Sequence, residues 1–143
     1  MGYRIRQRKA KFRLAAEKKE QALAAIKALA SKPELMSGES ILNGQATKRG
    51  FAWVSTEWFL QADSFEEAMG AWRWPVEKDK DGNVIKIRFI GQKLGDDHTL
   101  FEAIAPFVMD GSFIEMEGED GKLWHWFFGA GQVKAQRGKA VLK

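Results

Sequence analysis

Apolar and polar residues change period several times along this chain, and each change marks an element. Residues 3–14 alternate, with Tyr3 and Ile5 on one side and Arg4, Arg6 and Arg8 on the other. From Ala10 the phase shifts: Ala10, Phe12 and Leu14 are apolar, Lys11 and Arg13 polar. A slip of one residue predicts a strand with a bulge or turn near Arg8 and Lys9. Residues 16–30 take a helical period, in which Ala22, Leu23, Ile26, Leu29 and Ala30 form one stripe. Pro33 closes that helix, because the residue before a proline is pushed out of the helical region. Residues 33–50 have no clear period, and two readings stand. Either this is a mobile loop that contacts a partner, or a short strand near Ile41 and Leu42 pairs across Asn43-Gly44.

Residues 51–54 read as a strand, and Trp58, Phe59 and Leu60 continue its apolar density. Ser64 and Glu67 have capping-box spacing, in which each side chain satisfies the other residue's backbone N–H. The helix they open carries Phe65, Ala68, Met69 and Trp72 on one face and stops at Pro75. Residues 76–90 predict a hairpin turning at Asp81-Gly82. Asp96 or Asp97 caps a further helix bearing Leu100, Phe101 and Ile104, ended or kinked by Pro106. The densest signal lies at 113–128, where two apolar runs flank Asp120-Gly121. A two-residue turn there sets Glu117 opposite Trp124, Glu115 opposite Trp126 and Phe113 opposite Phe128. Ile114, Met116, Leu123, His125 and Phe127 then share the other face, which reads as core. A last short strand follows at 132–135, and the basic tail 137–143 is expected to fray.

Helices interspersed with hairpins predict a single α+β domain over 1–143, a mainly antiparallel sheet with about three helices on one face. A ferredoxin-like or related split β-α-β arrangement is the expected version. Because short helices cover one face only, the face holding Glu115, Glu117, Trp124 and Trp126 is expected to be open.

Composition narrows the chemistry. The chain has no Cys, which excludes disulfides, Cys-ligated zinc and thiol catalysis and makes a reducing compartment the expectation. No apolar run approaches the roughly 20 residues of a membrane span, and no apolar segment follows the basic N-terminus as a secretion signal requires. The host cytosol is the expected location. His98 and His125 lie in separate elements without metal-ligand spacing, so no metal site and no cofactor are expected. Phosphate-loop, dinucleotide and nucleophile-elbow motifs are missing. Glu115 and Glu117 point the same way from one strand, as a carboxylate pair for acid–base work would, but nothing marks a nucleophile beside them. No catalytic residue is assigned, and the reading leans away from an enzyme.

Two features point to binding. Six Trp in 143 residues is a surplus, and Trp is over-represented where partners dock. Trp53 and Trp72 are expected in the core, while Trp74, Trp124 and Trp126 stay open between core and contact surface. Charge is also lopsided: residues 1–50 hold 12 Lys and Arg against 4 acids, residues 51–121 hold 6 against 15, and residues 122–143 hold 5 against none. Either the opposite charges meet in the fold, or the basic ends meet an acidic partner.

The segments Leu100-Phe-Glu-Ala-Ile-Ala-Pro-Phe-Val108, Gly111-Ser-Phe-Ile-Glu-Met-Glu-Gly-Glu-Asp-Gly121 and Trp124-His-Trp126 resemble small uncharacterised proteins of phages and other mobile elements. The resemblance covers residues 64–133 and brings no catalytic residues. It implies a context in which small accessory proteins bind a host protein, defence components included. The first expectation is therefore a non-enzymatic accessory protein that binds a host or phage protein through Glu115, Glu117, Trp124 and Trp126, or through residues 33–50. The second is a nucleic-acid binder using Arg4, Arg6, Arg8, Lys9, Lys11 and Arg13, whose guanidinium forks suit phosphates. A third is a small-ligand sequestering protein or enzyme with an aromatic and acidic pocket near Trp124. A homodimer through the aromatic face is another account of the surplus Trp.

Overall fold

A computed structural model describes residues 2–42 and 45–140, with side chains described outside 38–49. β1 (Ile5–Lys11) leads into α1 (Lys19–Ala28), which single 3-10 turns extend at both ends. β2 (Gly38–Leu42) and β3 (Gln45–Gly50) pair as a hairpin. Next come α2 (Thr56–Gln61), α3 (Phe65–Ala71), β4 (Val76–Lys78) and β5 (Val84–Ile87). After α4 (Asp97–Ile104) the chain ends in a meander of β6 (Phe113–Gly118), β7 (Leu123–Gly129) and β8 (Gln132–Arg137).

The fold is α+β, as the pattern predicts. Its main sheet runs β1-β6-β7-β8 with every neighbour antiparallel. That order is a meander with the first strand added at its edge, and it lacks the parallel central pair of a split β-α-β arrangement. Residues 84–94 cover the other edge of β1, where Leu14 and Val84 exchange hydrogen bonds, Ile5 N–H donates to Gln92 O and Leu94 N–H to Tyr3 O. An edge paired in this way is closed to further strands. The helices bury Ala22, Ile26, Phe65, Met69, Trp72, Leu100 and Phe101 against Phe12, Leu14, Ile114, Met116, Trp126 and Phe128 of the sheet. The slip in β1 is a bulge at Arg8, which has no partner between the Gln7–Met116 and Lys9–Glu115 pairs.

The register of the β6–β7 hairpin differs from the expected one by a single residue. Phe113 faces Phe127, Ile114 faces Trp126, Glu115 faces His125, Met116 faces Trp124 and Glu117 faces Leu123. The cause is the turn. Gly118 N–H donates to Lys122 O and Gly121 N–H to Gly118 O, so the loop has three residues, with Gly121 at φ +82°. This is a type I turn followed by a left-handed residue, which glycine adopts at little cost. The β4–β5 hairpin closes the same way, with Asp79 N–H on Asn83 O and Gly82 at φ +85°. A shift of one residue exchanges faces. Glu115 and Glu117 therefore do not share a face with Trp124 and Trp126.

Other expectations also change. Residues 51–54 form a turn, not a strand, and Trp58, Phe59 and Leu60 lie on α2, whose first turn is capped by the Ser55 hydroxyl accepting from Trp58 N–H. Trp53 is 57% exposed, not core. Trp72 and Trp74 are fully buried. At α3, Ser64 accepts from Glu67 N–H as expected, but the Glu67 carboxylate reaches Asp63 N–H instead of returning to Ser64. Residues 38–50 take the hairpin alternative, although the expected Asn43-Gly44 turn falls outside the described residues. Arg137 ends β8, and Gly138–Ala140 is bound across the sheet through Gly138 N–H on Leu123 O. The rest of the tail, 141–143, lies outside the described residues.

Candidate functional site

The corrected register gives the main sheet two different faces. On the outer face Glu115 and Glu117 point at β1. Glu117 accepts from Arg6 Nε at 2.9 Å and from Arg8 Nη1 at 3.0 Å. These hydrogen bonds, Arg6 first and then Arg8, hold its carboxyl below the usual carboxylate range. Glu115 is only 2% exposed. Its carboxylate accepts the Ala140 N–H at 3.0 Å and lies 3.7 Å from Arg8 Nε. His125, directly opposite, sets Nδ1 3.2 Å from Gly138 O. The strap 138–140 thus covers both groups. The bulge makes this arrangement: it turns Arg8 toward the two glutamates beside Arg6.

The basic strand divides accordingly. Arg6 and Arg8 are exposed but ion-paired to Glu117, and Arg13 Nη1 donates to Ile85 O at 3.1 Å. Arg4, Lys9 and Lys11 are exposed, the last two lying across from Glu115 and Phe113 in the ladder. Much of the opposite charge does meet in the fold.

Trp124 and Trp126 face the helix side. There they wall a cavity of about 620 Å³ between the start of α4 and the β7–β8 part of the sheet. Trp126 is packed edge-to-face on Phe101 and Trp74, at ring separations of 4.7 and 5.7 Å, and donates from Nε1 to His98 Nδ1 at 3.2 Å. Trp124 is half-buried and stands perpendicular to Trp126 at 4.4 Å. Leu94, Leu123 and Ala135 complete the apolar wall, while Tyr3, His98, Lys122 and Arg137 bring polar groups to the rim. No carboxylate is among the lining residues. The expected pocket near Trp124 is therefore aromatic and basic-rimmed, not acidic.

Two polar ties fix the start of α4 beside this cavity. Fully buried Asp97 accepts from Arg73 Nη2 at 2.9 Å, Trp74 Nε1 at 2.8 Å and Gly95 N–H at 2.9 Å. It locks the end of α3, the start of α4 and the 91–95 loop together. Asp96 leaves its own helix end uncapped and instead accepts from Ser37 Oγ at 2.7 Å and Ala52 N–H at 2.9 Å. On the opposite wall the Tyr3 hydroxyl donates to Asp120 at the hairpin tip. The hydrogen bond to that carboxylate is the main cause of a phenol pKa raised to about 12.

Sequence reasoning singled out the two Trp of this site and missed its rim. Lys122 read as the first residue of the run after Asp120-Gly121 and Arg137 as part of a tail. Cross-strand pairing of Arg137 with Trp124 puts both on one face, a relation that follows only from the register. The described residues include no group of three or more His, Asp or Glu positioned to hold a metal. No helix among them is long and apolar enough to cross a membrane. No protein-family model, characterised protein or solved structure matches the chain.

Proposed function

We propose that this is a non-enzymatic binding protein that captures a macromolecular partner by taking an apolar or aromatic group of that partner into the Trp124 cavity. The cavity itself carries the reading. It has the size range of ligand sites, its wall is largely apolar, and a few polar groups ring its mouth. A half-buried Trp beside an apolar pocket is also a feature of interface hot spots. The carboxylate pair that might have suggested acid–base chemistry is instead engaged by Arg6, Arg8 and Ala140. The phage-like motifs favour a host protein, such as a defence component, as the partner. Internal pairing of Arg6 and Arg8 leaves the nucleic-acid alternative with less free charge, and no observation raises it above this reading.

Capture from nuclease-treated host lysate, together with an NMR fragment screen, tests it. Apolar ring fragments are expected to shift the Trp124 and Trp126 indole resonances among the six the chain provides. Trp124→Ala is expected to remove both those shifts and the captured protein while leaving the remaining spectrum folded. A folded Trp124→Ala protein that captures its partner undiminished would overturn the reading.

A further inference from the structure

From the surroundings of this cavity we infer that the partner presents an acidic peptide segment with two apolar anchors, one for the Trp124 cavity and one for Trp53. The inference rests on the binding reading above and adds the chemistry of the partner.

Trp53 is the first observation. It is 57% exposed and sits at φ +66°. A bulky side chain rarely adopts that region, and such strain persists only where neighbouring structure enforces it. Here the enforcement is explicit: Ala52 N–H is held by Asp96 at 2.9 Å, and Val54 N–H closes the turn on Phe51 O at 3.2 Å. The fold thus holds an indole out toward solvent in a conformation that is not the cheap one. Residues held in such sparsely populated conformations cluster at active sites, ligand clamps and switch regions.

The second observation is continuity. Gly95 lines the Trp124 cavity, and a side-chain carbon placed on it would come within 2.9 Å of Trp53 Cδ1. The Leu94-Gly95 corner is therefore shared by the cavity and the Trp53 ring. Leu94 is itself exposed and is fixed to the segment just before β1 through its N–H on Tyr3 O at 2.8 Å. A ligand filling the cavity alone would leave Trp53 unused, whereas an extended segment crossing Leu94 reaches both.

Charge is the third. Lys122 and Arg137 stand at the cavity mouth, and Lys93 Nζ lies 5.8 Å from the centre of the Trp53 ring. Cations thus flank the path at both ends. Asp120 accepts from Tyr3 and lies 3.8 Å from Lys122, so the Lys122 charge is partly met within the chain, and Glu102 is exposed beside His98 at 3.7 Å, whereas Arg137 forms no ion pair among the described residues. A basic-rimmed apolar path is complementary to an acidic segment, since charge complementarity steers encounter and sets specificity.

The test uses the full chain and fluorescein-labelled synthetic peptides. One set is rich in Asp and Glu with two aromatic residues at varied spacing, a matched set carries Lys in place of the acids, and an oligothymidylate serves as the nucleic-acid probe. Fluorescence anisotropy is expected to show binding of the acidic aromatic set alone, weakening as salt rises. Trp53→Ala, and separately Lys122→Glu with Arg137→Glu, should each weaken it about tenfold or more. All three sites are exposed, so near-UV circular dichroism should confirm an intact fold. If Trp124→Ala abolishes binding but the Trp53 and charge-reversal variants do not, the acidic two-anchor partner is wrong and the cavity stands. If Trp124→Ala has no effect, the binding reading itself falls. Equal binding of oligothymidylate, or of the Lys-bearing peptides, would overturn the inference, as would no binding by any peptide.

Discussion

At the centre of the β6–β7 hairpin the two faces are equally buried and built on opposite principles. Ile114, facing the helices, has no exposed surface, and Glu115, facing away, has 2%. The helix face buries hydrocarbon, which stabilises at about 25 cal/mol per Å² and needs no partner. Its aromatic groups stack edge-to-face from Phe12 through Phe128 and Phe101 to Trp126. The outer face buries a carboxylate and an imidazole, which are tolerated only when paired or hydrogen-bonded. Arg8 and the strap 138–140 supply those partners. Burial alone therefore says little about how a face will respond to change. The helix face should respond to lost volume, and the outer face to altered charge.

Removing volume from the helix face gives the largest expected effect. Trp126→Ala deletes a fully buried ring in contact with Trp74, Phe101 and Trp124, together with its hydrogen bond to His98. Aromatic-to-alanine changes in a core typically cost about 3–5 kcal/mol. Urea unfolding followed by tryptophan fluorescence should show a lower midpoint with an unchanged slope. A midpoint within error of the parent would mean that this face is not packed as described.

A smaller and conditional effect is expected on the outer face. Glu117 is ionised below its ordinary value of 4.5 because Arg6, and then Arg8, hydrogen-bond to it. A depressed folded-state pKa means that its stabilisation is complete above the unfolded value and fades as pH falls through the folded one. Glu117→Gln should therefore differ most from the parent at neutral pH, and the two stability curves should converge under acid. Parallel curves from neutral to acid pH would show that the carboxylate is not held by the two arginines. Trp126→Ala, in contrast, should lower stability at every pH.

Which residues belong to which face was the part of the fold that the sequence hid. The apolar periods located α1, α3, α4 and all three strands of the final meander, and the phase slip in β1 located its bulge. These signals are local and repeat over several residues. The hairpin register depends instead on whether an Asp-Gly pair closes a two- or a three-residue loop. Both Asp-Gly turns here take three, with the glycine in the left-handed position. That one-residue difference moved Glu115 and Glu117 away from Trp124 and Trp126, and with them the proposed contact surface. Arg137 and His98 joined the cavity through tertiary placement, which no local pattern encodes. Trp53 was misjudged for a related reason. Its neighbours read as an apolar run, but the turn is dictated by Asp96 reaching Ala52 across 44 residues of chain.

The smallest effect tests the tie between the two faces at the hairpin tip. Tyr3 is the only tyrosine in the chain, so phenolate absorbance reports on it alone. Its hydroxyl donates to Asp120, and ionising it would place a phenolate against that carboxylate, with Glu119 also adding repulsion. The pKa is accordingly raised from its ordinary value of 10.0 to about 12. Because the folded value is the higher one, the tie stabilises the protein fully just below pH 10.0 and is lost as pH rises toward 12; at the acid end it fades as Asp120, whose carboxyl the same bond holds below 3.8, takes up a proton. Absorbance titration should place the midpoint near 12, and Asp120→Ala should return it most of the way to the ordinary value. Stability at neutral pH should fall only slightly in that variant, since the pair lies at an exposed edge. A midpoint already at the ordinary value in the parent would mean that Tyr3 does not hold the tip. One wall of the Trp124 cavity would then lose its anchor, while both faces of the hairpin would keep theirs.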